Sequence, residues 1–200
     1  VRRAQLIVMV KEPRPGRVKT RLGADIGMTT AAWWFRHQTA RLLREVQDPR
    51  WETCLAVSPD HEGLQSRIWP AHLPRLPQGR GDLGERMARL MRGAPPGPVC
   101  IIGGDIPGIR KHHIARAFRA LGSRGAALGP APDGGYWLIG LKRSAPPPAA
   151  FLQGVRWSTR YALNDTAQTL APLPIALLDT LRDVDTAADL AVKPRLGFRG

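Results

Sequence analysis

Short apolar runs alternate with helical amphipathic stretches along this chain, and that alternation constrains its fold more than any other feature. Residues 5–10, 53–57, 99–103, 126–129, 136–141 and 175–178 read as strands. Residues 28–46, 83–91, 111–121, 161–170 and 186–192 read as helices. In the first of these, Trp33, Trp34, His37, Ala40 and Arg41, with Leu42 and Leu43, leave an apolar stripe at helical spacing. Elements in this order predict an α/β sheet with helices packed on its faces. Loop composition falls between them, as in "RGAPPGP" (92–98) and "SAPPPAA" (144–150). No internal repeat is evident. A single domain is predicted over residues 1–193, with a tail over 194–200.

The chain has 200 residues and 43% hydrophobic content, enough for one substantial core. Its formal charge of +14 comes mostly from arginine and is spread along nearly the whole sequence. Such a charge suits phosphate partners, whether nucleic acid or small anions. No nucleic-acid signature accompanies it, neither RNP aromatics nor a C₂H₂ pattern. Cys54 and Cys100 lie in separate apolar segments without CxxC spacing and are expected to be small buried thiols. Arg2 and Arg3 precede an apolar run too short for a secretory signal, and no segment approaches the ~18 apolar residues of a membrane span. A cytoplasmic protein is expected.

In an open α/β sheet, ligands bind beyond the carboxyl ends of the strands. After the first strand comes "KEPRPGRVKTRL" (11–22), with Lys11, Arg14, Arg17, Lys19 and Arg21 around Pro13, Pro15 and Gly16. The prolines stiffen the loop, Gly16 permits close backbone approach, and the cations suit a polyphosphate. After residues 99–103, "GGDIPG" carries Asp105 to the sheet edge, where it is a candidate Mg²⁺ or Mn²⁺ ligand or a helix cap. After the last strand, "LRDVDTAADL" offers Asp185 as the second carboxylate, or as the start of the final helix. "QGRGDLGERM" (78–87) contains a formal GxGxxG, but no strand is predicted before it. It reads as a loop entering a helix, with Asp82 as cap or ligand contact. "APDGGYWLIG" (131–140) reads as a hairpin turn whose Asp133 matters only if it faces the same crevice as Asp105. Adjacent His112 and His113 cannot chelate together from one helix. Neither HExxH nor GxSxG occurs.

Taken together, "KEPRPGRVKTRL", "QGRGDLGERM", "GGDIPGI", "APDGGYWLIGL", "RWST" and "DVDTAADL" resemble the bacterial GT-A-like glycosyltransferase family, whose members often carry the label of arsenosugar-biosynthesis-type enzymes. The similarity runs from Gln5 to about Val192. More distantly, the chain resembles the nucleotidyltransferases that share the nucleotide-diphospho-sugar transferase fold. The resemblance implies a Rossmann-like, mixed, mostly parallel sheet with helices on both faces and a nucleotide over the first loop. Lys19 and Arg21 match phosphate-contacting positions, with Lys11, Arg14 and Gly16 shaping the cradle. Asp105 matches the metal-binding aspartate of a D-x-P motif and Asp185 the second metal ligand. Asp133, Trp157, Ser158 and Thr159 fall where the second substrate is expected. Gly104 departs from the small hydroxyl residue common before the aspartate, and Ala187 and Ala188 replace the usual Pro-Glu.

The expected function is a metal-dependent transferase using a nucleotide-activated substrate, with Mg²⁺ or Mn²⁺ at Asp105 and Asp185. Lys19 would stabilise charge on the leaving group, and Asp133 is a candidate base. Glycosyl transfer from an NDP-sugar to an unidentified small-molecule acceptor is the leading version. Nucleotidyl transfer with release of pyrophosphate shares nearly all the same residues. A basic nucleic-acid-binding module is the alternative of another class.

Overall fold

The computed structural model describes residues 3–191. The predicted tail from Pro194, and the last position of the predicted 186–192 helix, lie outside the described residues.

All six predicted strands form: β1 (Ala4–Lys11), β2 (Trp51–Ser58), β4 (Val99–Gly103), β5 (Ala126–Pro130), β6 (Tyr136–Leu141) and β7 (Ile175–Leu177). A further strand, β3 (Arg75–Pro77), makes a seven-stranded sheet of order β3-β2-β1-β4-β6-β5-β7. Only β6 runs against its neighbours, antiparallel to both β4 and β5. β1 is interior, between β2 and β4, with Val8 opposite Leu55 on one side and Ile102 on the other.

The predicted helices are α2 (Met28–Glu45), α4 (Leu83–Gly93), α5 (Lys111–Ser123), α6 (Ala162–Thr169) and α7 (Ala187–Ala191). The sheet is apolar on both faces, as a sheet covered twice must be. Leu6, Val8 and Val10 of β1 point to one side, where Phe35, Leu42 and Leu43 of α2 and Ile114, Ala117 and Leu121 of α5 cover them. Ile7 points to the other, against Met87, Leu90 and Met91 of α4 and Ala162 of α6. Alternation along a single strand therefore feeds two cores.

Three elements escape the sequence reading. β3 is three residues on the sheet edge, ends in proline and is at most half-buried, so it carries no apolar run. It nonetheless leads directly into Gln78, which corrects the expectation that no strand precedes the GxGxxG segment. α1 (Thr20–Ile26) takes over the end of the basic loop, and α3 (Asp60–Gln65) follows β2. Each is under two turns or barely two and contains a glycine, too little sequence for a helical period to register.

Cys54 and Cys100 are free thiols; Cys100 is buried as expected, Cys54 only partly so, and burial pushes both upward, Cys54 to about 11. His113 is occupied structurally: its Nδ1 accepts the Arg110 amide proton at 3.0 Å and its ring packs edge-on to Trp137. No helix among the described residues is long and apolar enough to cross a membrane.

Candidate active site

The chain runs outward from β1 to β2 and β3, then returns to place β4 on the other side of β1. Between β1 and β4 the connections diverge in opposite directions, and a crevice opens at their carboxyl ends. The loops that leave these two strands begin at Glu12 and Gly104, the two segments richest in candidate chemistry. The Gly104 amide donates to the Met9 carbonyl at 3.1 Å, and Thr39 of α2 donates to the Gly104 carbonyl at 3.0 Å. This turn is held on both sides. A Cβ on Gly104 would sit 3.1 Å from Val10 Cγ1 and 3.3 Å from the Met9 carbonyl oxygen, so glycine fits where a larger residue must push.

The resulting cleft has a volume of about 750 Å³. Lys11, Lys19, Arg21, Asp82, Asp105, Asp133 and Asp185 all line it. Arg14 and Gly16 do not. Arg14 reaches Glu62 at 3.0 Å, and Arg17 approaches the same carboxylate at 3.5 Å, so these two cations brace the loop against α3. Arg17 also borders the cleft.

Lys19 sits at the centre of the charge arrangement. Its backbone is left-handed (φ 46°, ψ 48°) at the N-cap of α1, and its carbonyl accepts the Gly23 amide proton at 2.8 Å. Buried Val18 and Leu22 pin the chain on either side. From there the ammonium reaches Asp105 at 2.7 Å and Asp185 at 2.8 Å, with Asp183 at 4.0 Å. Only 6% of the Lys19 side chain is exposed. Burial pushes the Lys19 pKa down, but Asp105 and then Asp185, through charge and hydrogen bonding, more than offset it and hold the pKa above its ordinary value. Arg21 is three-quarters exposed and approaches Asp185 at 3.6 Å.

The carboxylates outnumber the buried cation. Burial, and next the charge of Asp185, raise the Asp183 pKa; Lys19 pulls against them, while Asp105 and Asp133 add to the repulsion. The sequence singles out Asp185 alone in this segment; the proximity of Asp183 to Lys19 emerges only in the fold.

Asp185 is not the cap of the final helix. Asp25 takes the first helical amide, its Oδ2 accepting from Ala187 N at 3.0 Å, while Asp189 within the helix accepts with Oδ2 from the Asp185 and Thr186 amides and from the Thr186 hydroxyl, at 3.1, 2.9 and 2.8 Å. The Asp185 side chain is thereby left to face Lys19. Asp105 likewise caps no helix, because α5 begins six residues later.

Asp82 is the N-cap of α4, and it forms a reciprocal box with Glu85 at 2.8 Å in each direction. Its position at the cleft edge follows from that structural duty. The third glycine of the segment, Gly84, serves packing: a Cβ there would lie 2.7 Å from Trp157 Cζ2. Asp133 occupies the β5–β6 turn, accepts the Gly135 amide proton at 2.9 Å and faces the same crevice as Asp105. Trp157, Ser158 and Thr159 line the opposite wall with Tyr136. Gln78 also lines the cleft and no sequence signal marks it. Its Nε2 donates to the carbonyls of Val10 and Ala56, at 3.0 and 2.8 Å.

The carboxylate group has the chemistry of a hard-cation site, oxygen donors with a surplus of negative charge. Among the described residues no set of three or more His, Cys, Asp or Glu side chains is arranged to hold a metal alone. The donors therefore fit an ion that completes its shell with waters and ligand oxygens, as Mg²⁺ and Mn²⁺ do.

The family profile described as "Uncharacterized protein conserved in bacteria (DUF2064)" matches residues 42–159. A proposed nucleotide-diphospho-sugar transferase from Desulfovibrio desulfuricans G20 superposes with a TM-score of 0.77 at 29% identity, over 92% of this chain and 82% of that one. A Mycobacterium tuberculosis H37Rv protein in complex with manganese gives 0.57 at 15% identity, over 94% and 95%. The 4-diphosphocytidyl-2C-methyl-D-erythritol synthase from Anaerococcus prevotii DSM 20548 gives 0.59 at 10%, over 94% and 93%. No curated protein sequence matches. The mixed, mostly parallel sheet with helices on both faces is thus the fold of the GT-A-like nucleotide-diphospho-sugar transferases.

Proposed function

The chain belongs to the bacterial family DUF2064, and from that premise we propose that it transfers a group from a nucleotide-activated substrate, with glycosyl transfer from an NDP-sugar as the leading reaction. The observation that carries this reading is the meeting of Asp105, Asp183 and Asp185 with Lys19 at the β1/β4 divide. A diphosphate needs cations around it, and this end of the cleft supplies Lys11, Arg17, Lys19 and Arg21. A divalent ion at Asp105 and Asp185 would neutralise part of the diphosphate charge and stabilise the departing nucleotide.

The residues of the chain then divide the work. Lys19 and Arg21 stand where negative charge builds on the leaving group. Gln78, fixed by two carbonyls, walls the side of the cleft toward α4. Tyr136 and Trp157, edge-on at 6.3 Å, offer an aromatic wall suited to the flat face of a sugar or acceptor. Asp133 faces the crevice as the candidate base for that acceptor.

Ligand-induced stabilisation tests the reading. NDP-sugars with Mn²⁺ are expected to raise the melting temperature more than NTPs with Mg²⁺; the reverse order assigns nucleotidyl transfer instead. Asp105→Ala is expected to abolish metal-dependent nucleotide binding while circular dichroism stays unchanged. Undiminished binding in that variant removes the metal assignment.

A further inference from the structure

We propose that Lys19 is the built-in counterion of the Asp105/Asp185 pair, and that a divalent cation enters only by displacing its ammonium from between them. This rests on the reading that these two carboxylates hold a metal.

The geometry sets a metal ion and the ammonium in competition for the same carboxylates. The Lys19 ammonium lies 2.7 Å from Asp105 Oδ2 and 2.8 Å from Asp185 Oδ1 and so bridges one oxygen of each carboxylate. A Mg²⁺ ion sits about 2.0–2.1 Å from its oxygen ligands and tolerates little distortion. Such an ion on the two oxygens that Lys19 bridges would overlap the ammonium. Withdrawal of Lys19 cannot come from the backbone, because its left-handed turn is fixed between buried Val18 and Leu22. Rotation of the side chain remains, and it carries the ammonium into the cleft, where a phosphate would meet it. The Asp183 carboxylate, 4.0 Å from the ammonium, keeps the vacated ground acidic.

The two partners of the site are therefore linked. A metal without an anion must strip a nearly buried ammonium of two strong hydrogen bonds, and so binds weakly. An anion that accepts the released lysine recovers that loss. Linkage is reciprocal, so the metal in turn favours the anion.

The test is titration of Mn²⁺ alone by isothermal calorimetry, with melting curves run in parallel. Lys19→Met is expected to bind Mn²⁺ at least about fivefold more tightly than the unaltered protein, within the usual range of such couplings. Mn²⁺ should also raise its melting temperature by more. Lys19→Arg, which retains the charge, should stay close to the unaltered protein. Equal or weaker Mn²⁺ binding by Lys19→Met overturns the proposal. Asp105→Ala separates the two readings: if it abolishes Mn²⁺ binding while Lys19→Met changes nothing, only the counterion role fails. If neither the unaltered protein nor Lys19→Met binds Mn²⁺, both fail. Should Lys19→Met not fold, amine acylation read by mass spectrometry decides on the unaltered protein. Lys19 is expected to resist acylation without metal and to react once Mn²⁺ saturates the site; unchanged protection overturns the displacement.

Discussion

The wall opposite the acidic cluster depends on one ion pair. Arg156 donates to Asp165 three times, from its backbone amide at 3.1 Å and from Nε and Nη2 at 2.8 Å each. The same guanidinium lies 4.1 Å from the centre of the Tyr161 ring, so one side chain braces the turn that presents Trp157 and Thr159. The Arg156 side chain, and then its amide, hold the Asp165 carboxyl at about 2, below its ordinary 3.8. A folded-state pKa below the unfolded one contributes stability at pH above 3.8, and that contribution is lost as pH falls toward about 2. Urea midpoints for Asp165→Asn should therefore decline less between pH 4 and 2 than those of the unaltered protein. Parallel declines would show that the pair contributes nothing there. Arg156 and Asp165 stand nine residues apart across a loop and a helix start, a spacing with no local rule, so the pair could not be read from the chain. Asp105, Asp185 and the loop cations could, because each follows a recognisable strand or belongs to a recognisable motif.

Elements meet at the cleft through Gln78 more than through any other uncharged residue. It is 3% exposed and bonds the Val10 carbonyl of β1 and the Ala56 carbonyl of β2, while Arg89 of α4 donates to the Gln78 carbonyl at 2.7 Å. Gln78→Ala would remove both side-chain hydrogen bonds, at about 0.5–1.5 kcal/mol each, a loss that denaturant unfolding can measure. A loss within experimental error would mean that water replaces the amide. Nothing in the local sequence announced this role, since the strand that delivers Gln78 is a three-residue edge held by backbone pairing to β2. The long helices were legible for the opposite reason: α2 and α4 each repeat an apolar stripe over three or more turns. At α7 the start was legible and the division of labour was not. Asp189 folds back onto the turn before the helix and Asp25 takes its first amide, which leaves Asp185 for Lys19.

For the molecule as a whole, the charge of +14 is the dominant long-range term. Self-repulsion of this size destabilises the compact state, and added salt screens it. Raising the ionic strength from about 10 to 150 mM shortens the Debye length from about 30 to about 8 Å, so the melting temperature is expected to rise over that interval. A fall would mean that the surface ion pairs outweigh the repulsion. What the sequence determined by itself is the series of buried strands and the residues that leave their ends, because apolar periodicity and the turn chemistry of Gly and Pro are local properties. It also carried the candidate chemistry of the first loop, the D-x-P segment and the late aspartates. Only the tertiary structure decided that Arg14 braces α3 instead of lining the cleft, and that Asp183 joins the acidic group. It alone decided that Lys19 already occupies the gap between two carboxylates 86 and 166 residues distant. Contacts of that reach depend on strand order and crossover direction, and those are fixed by burying both faces of one sheet at once.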